Sequence, residues 1–190
     1  MKRQREEEGF TLIELMIAMS LGLVVAGVAM QGLIGSGRSG ERLALQMRER
    51  TFQRRALALL RSELAAAKTM ELGTATNPAC NLEERTPVVH LMVEGKPITY
   101  TVGAAPSGIW RGQVLMRCGP AYVLEGGLSP GAAQNQVVLD GLPTGGLEEE
   151  EEEMPGLVRM TLKQEFPLQG EPQPLKIESE MGAPAPPPAG

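Results

Sequence analysis

Apolar residues run almost without interruption from position 10 to position 34, and one carboxylate, Glu14, stands inside that run. At 1.5 Å per residue these 25 residues predict a helix long enough to cross a hydrocarbon core of roughly 30 Å. An acidic side chain near the centre of such a helix costs about 2.5 to 3.5 kcal/mol, less toward the interface, so Glu14 requires a partner. Gly32, Gly35, Gly37 and Gly40 follow. Each costs about 1 kcal/mol against alanine in a helix interior, which predicts a bend or fraying there. Between Glu41 and about residue 72 a helical period resumes, with Leu43, Met47, Leu57, Leu60, Leu64, Ala67 and Met70 recurring three, four or seven apart. Beyond it the period shortens. A polar loop over 73–86 precedes β-like runs at 88–94 and 98–102, which flank Gly95-Lys96-Pro97 as a hairpin, and at 108–118, 122–125, 136–139 and 157–166. Helix followed by strands predicts an α+β fold, a long N-terminal helix packed against an antiparallel sheet.

The residues around Glu14 sharpen this picture. Gly9-Phe10-Thr11-Leu12-Ile13-Glu14, placed between a short polar leader and a long apolar run, resembles the class III signal of type IV prepilins and type II secretion pseudopilins. The resemblance implies that a prepilin peptidase of the membrane cuts between Gly9 and Phe10 and methylates the new amine of Phe10. It also implies a partner for Glu14: the N-terminal amine of a neighbouring subunit in the assembled filament. The leader departs from the family in one respect, since Lys2, Arg3 and Arg5 are matched by Glu6, Glu7 and Glu8. Lys and Arg near the membrane set orientation and acids count little, so the expected topology is a single pass with the N-terminus in the cytoplasm. The cut precedes the apolar segment, which stays as an anchor, unlike a Sec-type signal peptide.

On this reading the chain divides into a leader (1–9), a transmembrane and assembly helix (10–34), a Gly-rich collar with an amphipathic helix (35–72), an extracytoplasmic β-rich head (73–180) and an extended Pro-rich tail (181–190). The 190 residues leave room for one modest head domain. A net charge of −5 excludes an overall basic nucleic-acid footprint. Arg42, Arg48, Arg50, Arg54, Arg55 and Arg61 make the second helical stretch basic, and Glu41, Glu49 and Glu63 on the same stretch are expected to offset them as a solvated face. The six glutamates at 148–153 repel one another and read as a solvated loop rather than a cation site.

Cys80 and Cys118, 38 residues apart in the exported part, are expected to form a disulfide worth roughly 3 to 4 kcal/mol. Only His90 could join them as a metal ligand, with no paired-ligand spacing, so neither metal nor cofactor is expected. Trp110, the single tryptophan, reads as a core residue, and His90 as structural or exposed rather than catalytic. No nucleophile motif, phosphate loop or spaced carboxylate pair indicates an enzyme.

The later segments Ile98-Thr-Tyr-Thr-Val, Ile109-Trp110-Arg111, Tyr122-Val-Leu-Glu-Gly, Val137-Val-Leu-Asp-Gly-Leu and Val158-Arg-Met-Thr-Leu are similar to the PilW group of minor pilins and the J-type pseudopilins. That similarity implies a priming or tip subunit. The partners implied are other major and minor pilins, the prepilin peptidase, the inner-membrane assembly platform and membrane lipid. A minor pseudopilin of type II secretion is the alternative within the class, and an uncleaved membrane-anchored binding module the alternative outside it.

Overall fold

The computed structural model describes residues 11–73, 76–151, 157–168, 173–184 and 186, without the side chains of 32–39 and 149–151. The fold is α+β. A helix, α1 (Leu12–Ala66), is followed by eight strands: β1 (Ala67–Leu72), β2 (Arg85–Val93), β3 (Lys96–Gly103), β4 (Gln113–Gly119), β5 (Gln134–Leu142), β6 (Leu147–Glu151), β7 (Leu157–Phe166) and β8 (Leu175–Pro184). They form two antiparallel sheets, β1-β2-β3-β4-β5 and β6-β7-β8, each in chain order. The chain separates into two units, Met1–Leu45 and Gln46–Gly190.

α1 is long because nothing in it stops a helix. The first proline of the chain is Pro78, and helical hydrogen bonding continues through the glycines at 32–40, where the sequence predicts a bend or fraying. The helix ends at Ala66, six residues before the expected limit. Ala65-Ala66-Ala67 favours helix locally, but Ala67–Leu72 pairs with β2 from Ala67↔Val93 to Leu72↔Val89. Ladder bonds and the burial of Met70 outweigh the small propensity difference.

Within the second unit, Ala56, Leu60 and Leu64 on α1 share one core with both sheets: Val89 and Leu91 of β2, Ile98 and Tyr100 of β3, Leu115 of β4, Val158, Met160 and Leu162 of β7, and Met181 of β8. The hairpin expected around Gly95 is present, with Val93↔Lys96 closing it. Other expectations fail for identifiable reasons. Residues 108–112 do not extend β4, since Gly112 has φ +59° and a Cβ there would meet the Leu142 carbonyl at 2.8 Å. Trp110 lies in that connection and is 37% exposed, not core. Residues 122–125 form a turn closed by one bridge, Tyr122↔Leu128. The acidic run is not a loop over 148–151, because β6 pairs with β7 in the register Leu147↔Leu162 to Glu151↔Val158. Residues 181–184 belong to β8, whose Leu175, Ile177, Met181 and Ala183 alternate inward. Those four therefore lie in a sheet, not in an unpacked tail.

Three polar side chains on the inner side of α1 are fully buried, and each is answered by a sheet or its connections. Glu63 Oε1 accepts from Arg117 Nε at 2.7 Å and the Tyr122 hydroxyl at 2.9 Å, while Oε2 accepts from the Tyr100 hydroxyl at 2.6 Å. Arg117 also donates from Nη1 to the Pro120 carbonyl at 2.9 Å, and its guanidinium stands 5.3 Å from the centre of the Tyr122 ring. Gln53 donates to the Ile177 carbonyl and accepts from the Ser179 hydroxyl, both in β8. Glu49 accepts from Arg48 and from Arg111, and Arg111 forks onto Asp140 of β5 and lies 4.3 Å over the Phe166 ring. Glu63 is spent inside on Arg117 and the tyrosines, and Glu49, buried too, pairs with Arg48 of its own helix but also with Arg111 from outside it. The solvated-face reading is corrected on this point.

Breaking a buried ion pair leaves an uncompensated charge, so Glu63→Leu in the detergent-solubilised full chain is expected to cost roughly 3 to 5 kcal/mol. Adding Arg117→Met should recover most of it, as read by denaturant unfolding. The chain's two tyrosines both sit on Glu63. Burial and the adjacent carboxylate raise Tyr100 well above the usual phenol range and push Tyr122 up to about 12. A raised pKa means the folded state keeps a proton that the unfolded state loses. The tyrosines' contribution to stability should therefore be constant below about pH 10, the ordinary phenol value, and fall above it. Phenolate absorbance of the native chain should stay flat at the pH where the denatured chain already titrates.

Candidate assembly segment

The first unit carries the candidate site. Over Leu12–Gln31 the mean hydropathy is 2.3, and none of the span is buried against the rest of the chain. Leu12, Ile13, Met16, Leu23 and Val28 are each at least 65% exposed. An apolar face this long and bare all round is made for lipid or for other apolar helices. Its one hydroxyl is satisfied locally: Ser20 donates back to the Ile17 carbonyl at 2.9 Å, which leaves no open hydroxyl in a hydrocarbon layer.

At its start Thr11 and Glu14 cap one another. Glu14 Oε2 accepts from the Thr11 backbone N–H at 3.1 Å and from the Thr11 hydroxyl at 2.9 Å, and the Glu14 N–H points to Thr11 Oγ1 at 3.4 Å. This reciprocal arrangement is a capping box, in which side chains at the cap and three residues on satisfy backbone donors that a helix start leaves open. The carboxylate also lies at the positive end of the helix dipole. Thr11 escapes notice when Glu14 is read only as an intramembrane charge. The legible signal was the Thr-x-x-Glu spacing at the head of an apolar run.

Gly9 and Phe10, the expected cleavage and methylation positions, lie outside the described residues. In the second unit Cys80 and Cys118 are bonded, with Cα atoms 5.8 Å apart, and the bond ties the connection after β1 to β4. Asn77 in the same connection donates its N–H to the Thr99 hydroxyl at 2.9 Å. His90 lies in β2 with Nδ1 2.9 Å from that hydroxyl, and burial lowers its pKa against the opposing charge of Glu71. Among the described residues no three His, Cys, Asp or Glu side chains gather as a metal cluster.

Thr11→Val, which removes the hydroxyl but not the bulk, should cost the first turn about 1 kcal/mol. In detergent micelles this reads as roughly fivefold faster amide exchange at Glu14 and Leu15, whose N–H groups bond to Thr11, with denaturant unfolding of the head unchanged. Unaltered exchange would show that the hydroxyl contributes nothing to the helix start.

Residues 4–30 match the family model described as the prokaryotic N-terminal methylation motif. No curated protein and no solved structure matches the chain. The matched segment contains Gly9, Phe10 and Glu14 and overlaps the apolar span Leu12–Gln31, and together they support a type IV pilin-like, prepilin-type protein, consistent with membrane anchoring.

Proposed function

We propose that this chain is a minor type IV pilin, a structural and non-catalytic subunit that primes or caps pilus assembly. A prepilin peptidase cuts after Gly9 and methylates Phe10, and the helix beginning there carries the subunit from the inner membrane into a filament. The observation that carries this reading is a single carboxylate, Glu14, five positions after Gly9 in an exposed apolar helix that overlaps the matched methylation motif. In the chain alone Glu14 leans on Thr11. In a filament the methylated amine of a neighbour supplies the opposite charge that lipid does not. The α+β head suits this role, because Ala56, Leu60 and Leu64 of α1 close its core.

The later strand segments support placement in the PilW and J-type group, and the six-glutamate run argues against a bulk shaft subunit, where those charges would repeat thousands of times. A minor pseudopilin of type II secretion fits the same motif.

Intact mass and N-terminal sequence of the protein from its own membranes test the processing. The expected product starts at Phe10 and carries one added methyl group; a chain retaining Met1 would overturn the proposal. Gly9→Leu should block cleavage. Glu14→Ala should insert and be cleaved normally but be lost from sheared filaments, and wild-type recovery of that variant would remove the pairing role. Secretion intact and pili absent in a deletion strain would favour the pilus over the secretion piston, and the reverse result the piston.

A further inference from the structure

The outer face of α1 in the second unit carries cations and no anion. Between Gln46 and Ala66 the helix has two acids, Glu49 and Glu63, and both are fully buried. Arg50, Arg54, Arg55 and Arg61 are exposed, and none of them has a hydrogen bond or ion pair among the described residues. Like charges on neighbouring turns of a helix repel one another, a cost that an anionic partner removes.

These arginines frame a narrow strip. By the 3.6-residue period, Met47, Thr51, Ala58, Ser62 and Ala65 lie along the line opposite the buried Ala56, Leu60 and Glu63. Arg50, Arg54 and Arg61 follow one margin of that line and Arg55 the other. The strip makes no polar demand of its own: the Thr51 hydroxyl donates to the Met47 carbonyl at 2.8 Å, and the Ser62 hydroxyl to the Leu59 carbonyl at 2.7 Å. A low centre between charged margins is the layout by which one helix receives another, with the margin charges choosing the partner and its orientation. It does not suit a lipid surface, which takes up large apolar side chains, and Met47 is the only one along the centre.

We infer that this face docks a helix of a different polypeptide, one that presents carboxylates three or four residues apart along the margins of its own strip of small side chains. A second copy of the chain does not fit. Among the described residues α1 is the only helix, and its outer face in the second unit would set arginine against arginine. An unlike partner agrees with a minor subunit that contacts other subunits, but the contact rests on the charge of this face and not on N-terminal processing. Guanidinium forks hold carboxylates in two-point pairs, so the contact sets register and partner choice more than affinity.

The test uses the full chain in its own membranes, with a photoreactive residue in place of Ala58, and sequences the peptide joined to it. The expected adduct is to a different protein, at a helix in which Asp or Glu recurs every three or four residues, and its yield falls as salt is raised. Arg54→Glu plus Arg61→Glu should lower that yield roughly tenfold. Changing the facing carboxylates of the partner to Lys should restore it with the reversed chain and not with the original. Native phenolate titration of Tyr100 and Tyr122 in each purified variant confirms that it is folded. Adducts to lipid, to a second copy or to a segment without the acidic spacing would overturn the inference, as would no adduct at all or one indifferent to the reversals. N-terminal mass read from the same sample separates failure of the contact from failure of the pilin reading.

Discussion

Glu63 has no contact with solvent, so all that neutralises it comes from the protein, and the second unit is organised by that requirement. Its two oxygens collect Tyr100 from β3, Arg117 from β4 and Tyr122 from the connection to β5. A carboxylate taken out of water loses several kcal/mol of hydration, and geometry good enough to offset that loss admits very few arrangements. Apolar contacts alone would let α1 slide or rotate by a few degrees over the sheet at little cost. The Glu63 network does not allow this, and Gln53 and Glu49 repeat the constraint with β8 and with Arg111, which is bound to Asp140 of β5.

The same physical rule governs the two units differently. In the second unit the buried carboxylates take their donors from distant strands, which makes them determinants of tertiary structure. In the first, Glu14 takes its donors from Thr11, three residues away, and asks nothing of the head. The apolar helix is thus capped locally, with an apolar surface exposed along Leu12–Gln31.

The disulfide between Cys80 and Cys118 and the hydrogen bonds of buried Asn77 together hold the connection that follows β1. Residues 73–84 form a long connection between β1 and β2 with few apolar groups. By loop length alone the bond removes roughly 3 to 4 kcal/mol of disorder from the unfolded chain. It also fastens that connection to β4, the strand that supplies Arg117.

The amino-acid sequence alone determined the elements whose signal is local. The apolar run after Gly9, the position of Glu14, the hairpin around Gly95 and strand β7 follow from hydropathy, charge placement and turn chemistry, which act over a few residues. Other elements were decided by tertiary structure, because their residues are poor strand formers or ambiguous until a partner arrives. Ala67–Leu72 continues a helical pattern and becomes a strand only against β2. Four glutamates of 148–151 become a strand only because β7 presents a ladder, with Arg159 and Lys163 on it. β8 did carry a legible alternation, Leu175, Ile177, Met181 and Ala183, obscured by the prolines that flank it. The fate of the helix carboxylates was the least legible feature. Sequence spacing places Glu49 and Glu63 beside arginines of their own turn, but only the packed fold shows which charges lose water, and desolvation decides which partner each one takes.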